Sequence, residues 1–208
     1  MRVEAGMERI WAALISLGLL FCNGCAVLGS AADPCGTSPG ASAFPGDSLE
    51  DWVTYGDHLV VLRGIDEVDQ DGRQRVRLLQ ERTLWSREQA PAAPPQETFV
   101  PAQKSHDAAA AKPGHRYLLV GTWWDDRQDG RAEWVHLELL AFDDGVAGRG
   151  SAGCPPDPAD AGSGRAAVWG RSQTEIAGLF SRTPPDPASV RYQNLGPDER
   201  WQRVAAAR

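Results

Sequence analysis

The chain has 208 residues, with 28 acidic against 21 basic side chains, a formal net charge of −7 and a 42% share of hydrophobic residues. This length allows one domain of ordinary size, and the hydrophobic share is sufficient for a core. Nucleic-acid phosphates repel an acidic chain that has no cluster of lysine and arginine, so nucleic acid is excluded from the expected partners.

An apolar, uncharged run occupies residues 10–22, and two arginines precede it. The run has the length of a signal-peptide core and is short for a membrane span. We therefore predict that residues 1–32 are a signal peptide or a lipoprotein leader, with Met1 or Met7 as the start. The mature protein is expected to be extracellular, or anchored to the cell membrane and facing outward.

Three ways of processing this leader are compatible with the sequence. Cys25 follows a small residue after the apolar run, as in a bacterial lipobox, and is a candidate for lipidation, although Cys22 lies where leucine is usual. Small residues at 30–32 provide an ordinary cleavage site. A retained anchor extending to Leu28 is the third alternative. In each case membrane contact is expected only through the N-terminal segment or a lipid anchor.

Two cysteines, Cys35 and Cys154, remain beyond the leader. In an oxidising compartment such a pair most often forms a disulfide bond. The bond would connect the start of the mature chain to a loop after the last main strand and stabilise the fold by about 2–4 kcal/mol. No further cysteine or histidine lies close enough in sequence to indicate a metal site, and no cofactor is expected.

The chain divides by composition into four parts. After the leader, residues 33–48 are rich in proline, glycine, serine and alanine, and they predict a flexible tether. Residues 49–170 are predicted to form a β-rich domain, and residues 171–208 a C-terminal helical extension. Ser48 is a favourable N-cap for a short helical turn at the start of the domain.

Asp71-Gly72 separates two runs of β-branched and aliphatic residues. An Asp-Gly pair in this position is a strong signal for a two-residue hairpin, because both residues tolerate positive φ. This turn places Asp66 opposite Arg77 and puts Ile65 on an apolar face. The two strands are predicted over residues 58–68 and 74–85.

Asp129-Gly130 predicts a second hairpin of the same kind. With these two residues central in the turn, Trp123 lies opposite His136. His136 and Glu138 are two positions apart on one strand, so their side chains are expected to share a face. The strands are predicted over residues 114–124 and 132–142.

Four further elements complete the prediction. Residues 97–100 and 166–169 have the pattern of short strands, and residues 173–181 follow the capping box of Ser172 and Glu175. A terminal helix is predicted over 197–207. The expected fold is mainly β: a small five-stranded OB-like barrel or a half-open β-meander, with two short C-terminal helices.

Residues 56–61, 76–85 and 114–120 resemble the strands of netrin/TIMP-like modules, in which a Gly-x-x-Tyr-Leu strand recurs. The resemblance covers about residues 50–145 and implies an OB-type fold. Metalloprotease inhibition in that family depends on a free N-terminal cysteine within Cys-x-Cys, and Cys35 lacks the second cysteine. Inhibitory activity is therefore not carried over. The chain is also similar to uncharacterised exported proteins and lipoproteins of high-GC bacteria.

Two classes of function follow from the side chains of the second hairpin. Eight tryptophans are a high number for this length, and Trp123, Trp134 and His136 are predicted to form an interaction patch, because indoles give large contact areas. This favours a non-enzymatic module that binds an envelope protein or a cell-wall glycan. The alternative is a secreted hydrolase or metal-dependent enzyme with a site near His136, Glu138 and Asp125, although no catalytic signature occurs.

Overall fold

The centre of the fold is a five-stranded antiparallel sheet with the order β3-β2-β1-β4-β5. It is seen in a computed structural model that describes residues 48–102, 111–126, 131–149, 155–156 and 161–207, without the side chains of 124–126, 131–133, 197 and 198. The mainly β class is thereby confirmed, and the sheet is not closed into a barrel. The strands are β1 (His58–Gln70), β2 (Arg73–Ser86), β3 (Glu97–Pro101), β4 (Arg116–Asp126) and β5 (Arg131–Ala141).

Short helices flank the sheet. The N-cap predicted at Ser48 and the capping box predicted at Ser172 are confirmed, since each serine hydroxyl accepts from the backbone N–H three residues later. The strand predicted at 166–169 is wrong, because the Ser163 hydroxyl caps a helix there instead. The helices are α1 (Leu49–Tyr55), α2 (Gly164–Val168), α3 (Gln173–Arg182) and α4 (Pro197–Ala205), with 3-10 helices at Asp143–Gly145 and Pro187–Tyr192.

The first hairpin has the predicted turn. Asp71 and Gly72 have φ values of 55° and 74°, and Asp66 pairs with Arg77. The register shifts between Gly64 and Asp66, so Ile65 bulges out of the ladder and is 40% exposed. The prediction that Ile65 lies on the apolar face is therefore wrong, because the bulge turns its side chain toward solvent.

The second hairpin has a different register from the predicted one. Asp126 pairs with Arg131, so residues 127–130 connect the strands where a two-residue turn was predicted. Trp123 consequently lies opposite Trp134, and His136 lies opposite Gly121. A further register shift beyond Gly121 places one extra residue, Leu137, in β5.

Both faces of the sheet are covered by apolar side chains. One face, here called the helix face, packs against α1, α2 and α3, including Ile176 and Phe180 of the predicted helical extension. The other, here called the curled face, is lined by side chains of the sheet itself, such as Leu62 and Leu119. Strand twist and bulges curve a sheet toward such a second core.

The two edge strands come together across the curled face. The Thr98 hydroxyl in β3 lies 3.0 Å from Nε2 of His136 in β5. All described elements belong to one compact unit. Within the described ranges, no helix combines the length and apolar character that a bilayer span requires. The predicted lipidation at Cys25, the Cys35–Cys154 bond and the leader lie outside the described residues.

Candidate interaction site

Three aromatic rings meet at one end of the curled face. The ring centroid of Trp134 lies 5.5 Å from that of Trp123, edge to face, and 5.3 Å from that of His58. Both indoles are half-buried, whereas the imidazole is almost fully buried. His58, Trp123 and Trp134 are called the aromatic patch below. Edge-to-face contact of this kind adds to the stabilisation from burial and restricts the rings to one arrangement.

Gly121 makes room for this arrangement. His58 of β1 lies opposite Gly121 of β4, which in turn lies opposite His136 of β5. A Cβ added to Gly121 would lie 3.1 Å from Cδ2 of Leu119 and 3.5 Å from Cε3 of Trp134. The absent side chain therefore lets the Trp134 indole lie close to the backbone of the neighbouring strand.

His58 is held as a neutral imidazole. Its Nε2 lies 2.9 Å from the Ala92 carbonyl oxygen, which can only accept, so Nε2 carries the proton. Nδ1 then accepts from the Ser86 hydroxyl at 2.8 Å. Burial lowers the pKa of His58 below its usual value, although the Ala92 carbonyl and the Asp57 carboxylate act in the opposite direction. These contacts fix the ring against which Trp134 packs.

His136 continues the site along β5. It lies two residues beyond Trp134, and Nε2 of its ring lies 3.0 Å from the Thr98 hydroxyl. Burial, together with the positive charge of Arg75, lowers the pKa of His136 to about 4. At neutral pH this histidine is uncharged, so it contributes a polar but not an ionic group beside the aromatic patch.

His136 and Glu138 do not share a face, contrary to the sequence-based prediction. The extra residue in β5 changes the alternation of side chains between them. Glu138 accepts from Nη2 of Arg165 in α2 at 2.8 Å, on the helix face, whereas His136 contacts Thr98 across the curled face. The acid–base pair on which the enzyme alternative depended is therefore not formed. The Asp125 side chain lies outside the described part of the chain.

A buried carboxylate lies directly behind the aromatic patch. Asp57 is fully buried, and five donated hydrogen bonds converge on it. Its Oδ2 accepts from the Thr122 hydroxyl at 2.9 Å and from the Trp123 backbone N–H at 2.8 Å. Its Oδ1 accepts from Nε and Nη2 of Arg87 and, at 3.2 Å, from Nη2 of Arg200. Asp57 thus connects the backbone of Trp123 to two cations.

Arg87 and Arg200 are themselves almost completely buried. Arg200 of α4 also donates through Nη1 to the Tyr55 carbonyl oxygen at 3.0 Å and through Nη2 to that of Leu195 at 3.1 Å. Arg87 donates to the carbonyl oxygen of Gln193. Two guanidinium groups and one carboxylate leave an excess positive charge, which these carbonyl dipoles help to stabilise. Asp57, Arg87 and Arg200 are called the Asp57 cluster below.

The pKa shifts agree with this geometry. Burial alone would raise the pKa of Asp57, but the charges of Arg200 and Arg87 and the donated hydrogen bonds outweigh it, so the pKa lies below its usual value. Burial and the nearby charge of Arg87 lower the pKa of Arg200 to about 10. Asp57 and Arg200 are therefore both ionised at neutral pH. Nε of Arg200 is buried without a hydrogen-bond partner.

Two other tryptophans, Trp52 and Trp169, contribute to packing. Trp52 is a core residue whose ring lies against Gly164, where an added Cβ would come within 2.7 Å. The Trp169 ring covers Gly148, where an added Cβ would lie 2.6 Å from the ring carbons. Trp52 and Trp169 therefore do not belong to the aromatic patch. In the described ranges no group of three or more His, Cys, Asp or Glu side chains could hold a metal ion.

Comparison with known proteins adds no relative: no protein-family model, curated protein or solved structure matches this chain. The site therefore has to be interpreted from its own chemistry. Half-exposed indoles provide apolar faces and one N–H donor each, which suits contact with a protein surface or with the C–H faces of a sugar. The Asp57 cluster holds the backbone of Trp123, the indole carried by β4.

Proposed function

We propose that the protein is an interaction module of the cell envelope, and that Trp123 and Trp134 make the contact with its partner. The observation that carries this proposal is the half-exposed, edge-to-face indole pair at the end of the curled face. Large aromatic side chains held in one geometry give much contact area at low entropic cost. The partner is an envelope protein or a cell-wall glycan.

The surroundings of the patch support binding through pre-organisation. His58, which packs against Trp134, is fixed by two hydrogen bonds, and the Trp123 backbone is tied to Asp57. A surface whose side chains are already ordered loses less conformational entropy when a partner binds. The patch is therefore built like a preformed contact surface.

We also propose that the sheet is an OB-like Greek key that stays open. Strand β1 pairs with both β2 and β4, and the sheet order makes β3 and β5 its two edges. The Thr98–His136 contact brings these edges close, which supports a barrel-like curvature. In OB folds the loop between the fourth and fifth strands is one of the ligand-binding elements, and Trp123 and Trp134 lie on the two strands that this loop connects.

Export completes the proposal. The apolar run at 10–22 would direct the chain across the membrane, where Cys35 and Cys154 would pair and Cys25 is the candidate lipidation site. Mass spectrometry of the protein from its native host tests this directly. Acylation at Cys25 or cleavage near residue 32 is expected, whereas an unprocessed cytosolic chain would refute export.

Binding is tested with Trp123→Ala and Trp134→Ala, using Trp201→Ala as the matched control, because Trp201 is an exposed indole on α4. Each variant is first checked by circular dichroism. Co-sedimentation with purified cell-wall glycan, and cross-linking to envelope proteins in intact cells, measure the two kinds of partner. The patch variants should lose about tenfold or more in affinity for one of them.

The same assay can refute the proposal. If both patch variants capture partners as well as Trp201→Ala does, the indoles are not the contact surface. If His136→Gln instead removes a hydrolytic activity while the fold is retained, the enzyme alternative is favoured.

A further inference from the structure

A cleft on the helix face is separate from the aromatic patch. It encloses about 420 Å³, which is within the range of small-molecule sites. Val61 and Phe142, both members of the helix-face core, form its apolar floor. Charged and polar side chains surround this floor: Glu81, Arg82, Arg116 and Gln173.

The charge of the lining differs from that of the whole protein. The chain has a formal net charge of −7, but the cleft contains two arginines and one glutamate. Glu81 is already occupied, because its carboxylate accepts from Nε of Arg116 at 2.7 Å. The lining therefore has one positive charge in excess.

Asp143, whose charge acts on Arg116, also has hydrogen-bond partners. Asp143 accepts from the Arg116 backbone N–H at 2.8 Å, and its other oxygen lies 2.6 Å from Nδ1 of His115. These bonds keep the carboxylate of Asp143 at the base of β4 and fix the start of the strand that carries Arg116. Asp144 beside it is exposed to solvent.

Two donors in the cleft remain available. Among the residues that the structure describes, the side chains of Arg82 and Gln173 have no hydrogen-bond or ion-pair partner. Arg82 lies directly opposite Val61 in the β1–β2 ladder, so its side chain begins next to the apolar floor of the cleft. A guanidinium presents paired N–H donors that match the two oxygens of a carboxylate.

We propose that this cleft binds a small organic carboxylate with an apolar body. The carboxylate pairs with Arg82 and accepts from the Gln173 amide, while the apolar part covers Val61 and Phe142. Glu81 keeps Arg116 in place and disfavours ligands with several negative charges. This site is independent of the partner-binding patch, since it lies on the opposite face of the sheet.

Hexanoate is a suitable probe, titrated into the ¹⁵N-labelled protein with the backbone amides of Val61 and Phe142 as reporters. Hexanol has the same apolar body without a charge, and hexylammonium has the opposite charge. Hexanoate should bind with saturable shift changes at both reporters, and the other two compounds should bind about tenfold more weakly or not at all.

Arg82→Gln is the decisive variant and should weaken hexanoate binding about tenfold, with Gln173→Leu weakening it less. Arg73→Gln is the matched control, because Arg73 is an exposed arginine at the tip of the first hairpin. Equal binding to Arg82→Gln and Arg73→Gln would overturn the proposal. So would an absence of saturation with the unaltered protein, or binding of hexylammonium as tight as that of hexanoate.

The outcome is distinguishable from that of the interaction proposal. Trp123→Ala should leave the hexanoate titration unchanged, because the patch does not contribute to the cleft. A protein that binds hexanoate through the aromatic patch would instead lose this titration in Trp123→Ala and retain it in Arg82→Gln, which would overturn the assignment of the cleft.

Discussion

Asp57 and Asp66 are both paired with arginine, one just before β1 and one far along it, but the two pairs differ in almost every other respect. Asp57 is fully buried and is shared by Arg87 and Arg200. The Asp66–Arg77 bridge is bidentate, with both contacts at 2.8 Å, and its side chains are 46% and 35% exposed.

The difference shows that hydrogen-bond geometry alone does not determine how much stability is lost when a charge pair is broken. The exposed pair has the better bidentate geometry, but water and salt compete with it, and its loss leaves two solvated side chains. Loss of Asp57 would leave two buried cations without a counter-charge. Burial therefore makes the Asp57 cluster the more sensitive of the two.

The largest effect is expected for Asp57→Asn. The substitution keeps the size of the side chain but removes the carboxylate that Arg87 and Arg200 share. We expect the free energy of unfolding to fall by about 3–5 kcal/mol, measured by urea titration at neutral pH. Asp66→Asn is the matched control. Equal losses in both variants would contradict the distinction between the buried and the exposed pair.

The next largest effect is expected in how the stability loss caused by Asp57→Asn depends on pH. The folded-state pKa of Asp57 lies below its unfolded value, so its stabilisation is complete above that unfolded value of about 4 and is lost as the pH falls through the folded-state pKa. The gap between the unaltered protein and Asp57→Asn should therefore narrow only below about pH 4.

His58 and His136 also have lowered pKa values, which reduce stability as the pH falls below about 6.5. The contribution of His136 is the same in both proteins, whereas loss of the Asp57 charge lowers the pKa of His58 further, so acidification through this range should widen the gap and not close it. A gap that already closes between pH 7 and pH 5 would mean that Asp57 is not the titrating group.

Arg200→Met should have an intermediate effect. It removes the excess positive charge and leaves Asp57 and Arg87 as a neutral pair, but the carbonyl groups of Tyr55 and Leu195 lose a donor. We expect a loss of about 1–3 kcal/mol by thermal or urea unfolding, less than for Asp57→Asn. A larger loss for Arg200→Met would show that the packing of α4, and not charge balance, dominates the cluster.

The smallest effect is expected for Arg77→Gln. The bridge to Asp66 is accessible to solvent, so its contribution should be near the limit of detection at moderate ionic strength and should disappear in high salt. Unfolding curves of the variant and the unaltered protein are compared at low and high salt. A salt-independent loss comparable to that of Arg200→Met would contradict this expectation.

Local chemistry predicted a large part of the fold. Asp71-Gly72 adopts the expected positive φ values, and helices begin at Ser48, predicted as an N-cap, and at Ser172, predicted to form a capping box with Glu175. In each case the signal and the structure lie within four residues. The short apolar run at 166–169 was ambiguous, because four residues do not distinguish a strand from a helix.

The bulges were not predictable from local pattern. Ile65 and Leu137 look like ordinary strand residues, and their displacement follows from the curvature that brings β3 and β5 together. Each bulge changes which side chains share a face. The bulge at Leu137 places His136 and Glu138 on opposite faces of the sheet. Alternation along a strand is reliable only as long as the ladder is regular.

The aromatic patch and the Asp57 cluster also contain contacts that local sequence pattern does not predict, because their residues are far apart in the chain. Trp123 and Trp134 were predicted together because one hairpin carries both, whereas His58 comes from a distant strand. Asp57, between Gly56 and an apolar run, gives a weak signal for a buried acid that needs a cation. Which arginines supply it depends on the packing of α4 and the end of β2, and no spacing in the sequence encodes that.

The long separation between Asp57 and Arg200 also determines when the cluster can be completed. These residues are 143 positions apart, whereas Asp66 and Arg77 are only 11 apart and can pair within a single hairpin. During synthesis the hairpin can form early, but the third member of the cluster is added only after nearly the whole domain has left the ribosome. Until residue 200 has been synthesised, Asp57 therefore lacks one of its two cationic partners, whereas Asp66 already has Arg77 within reach.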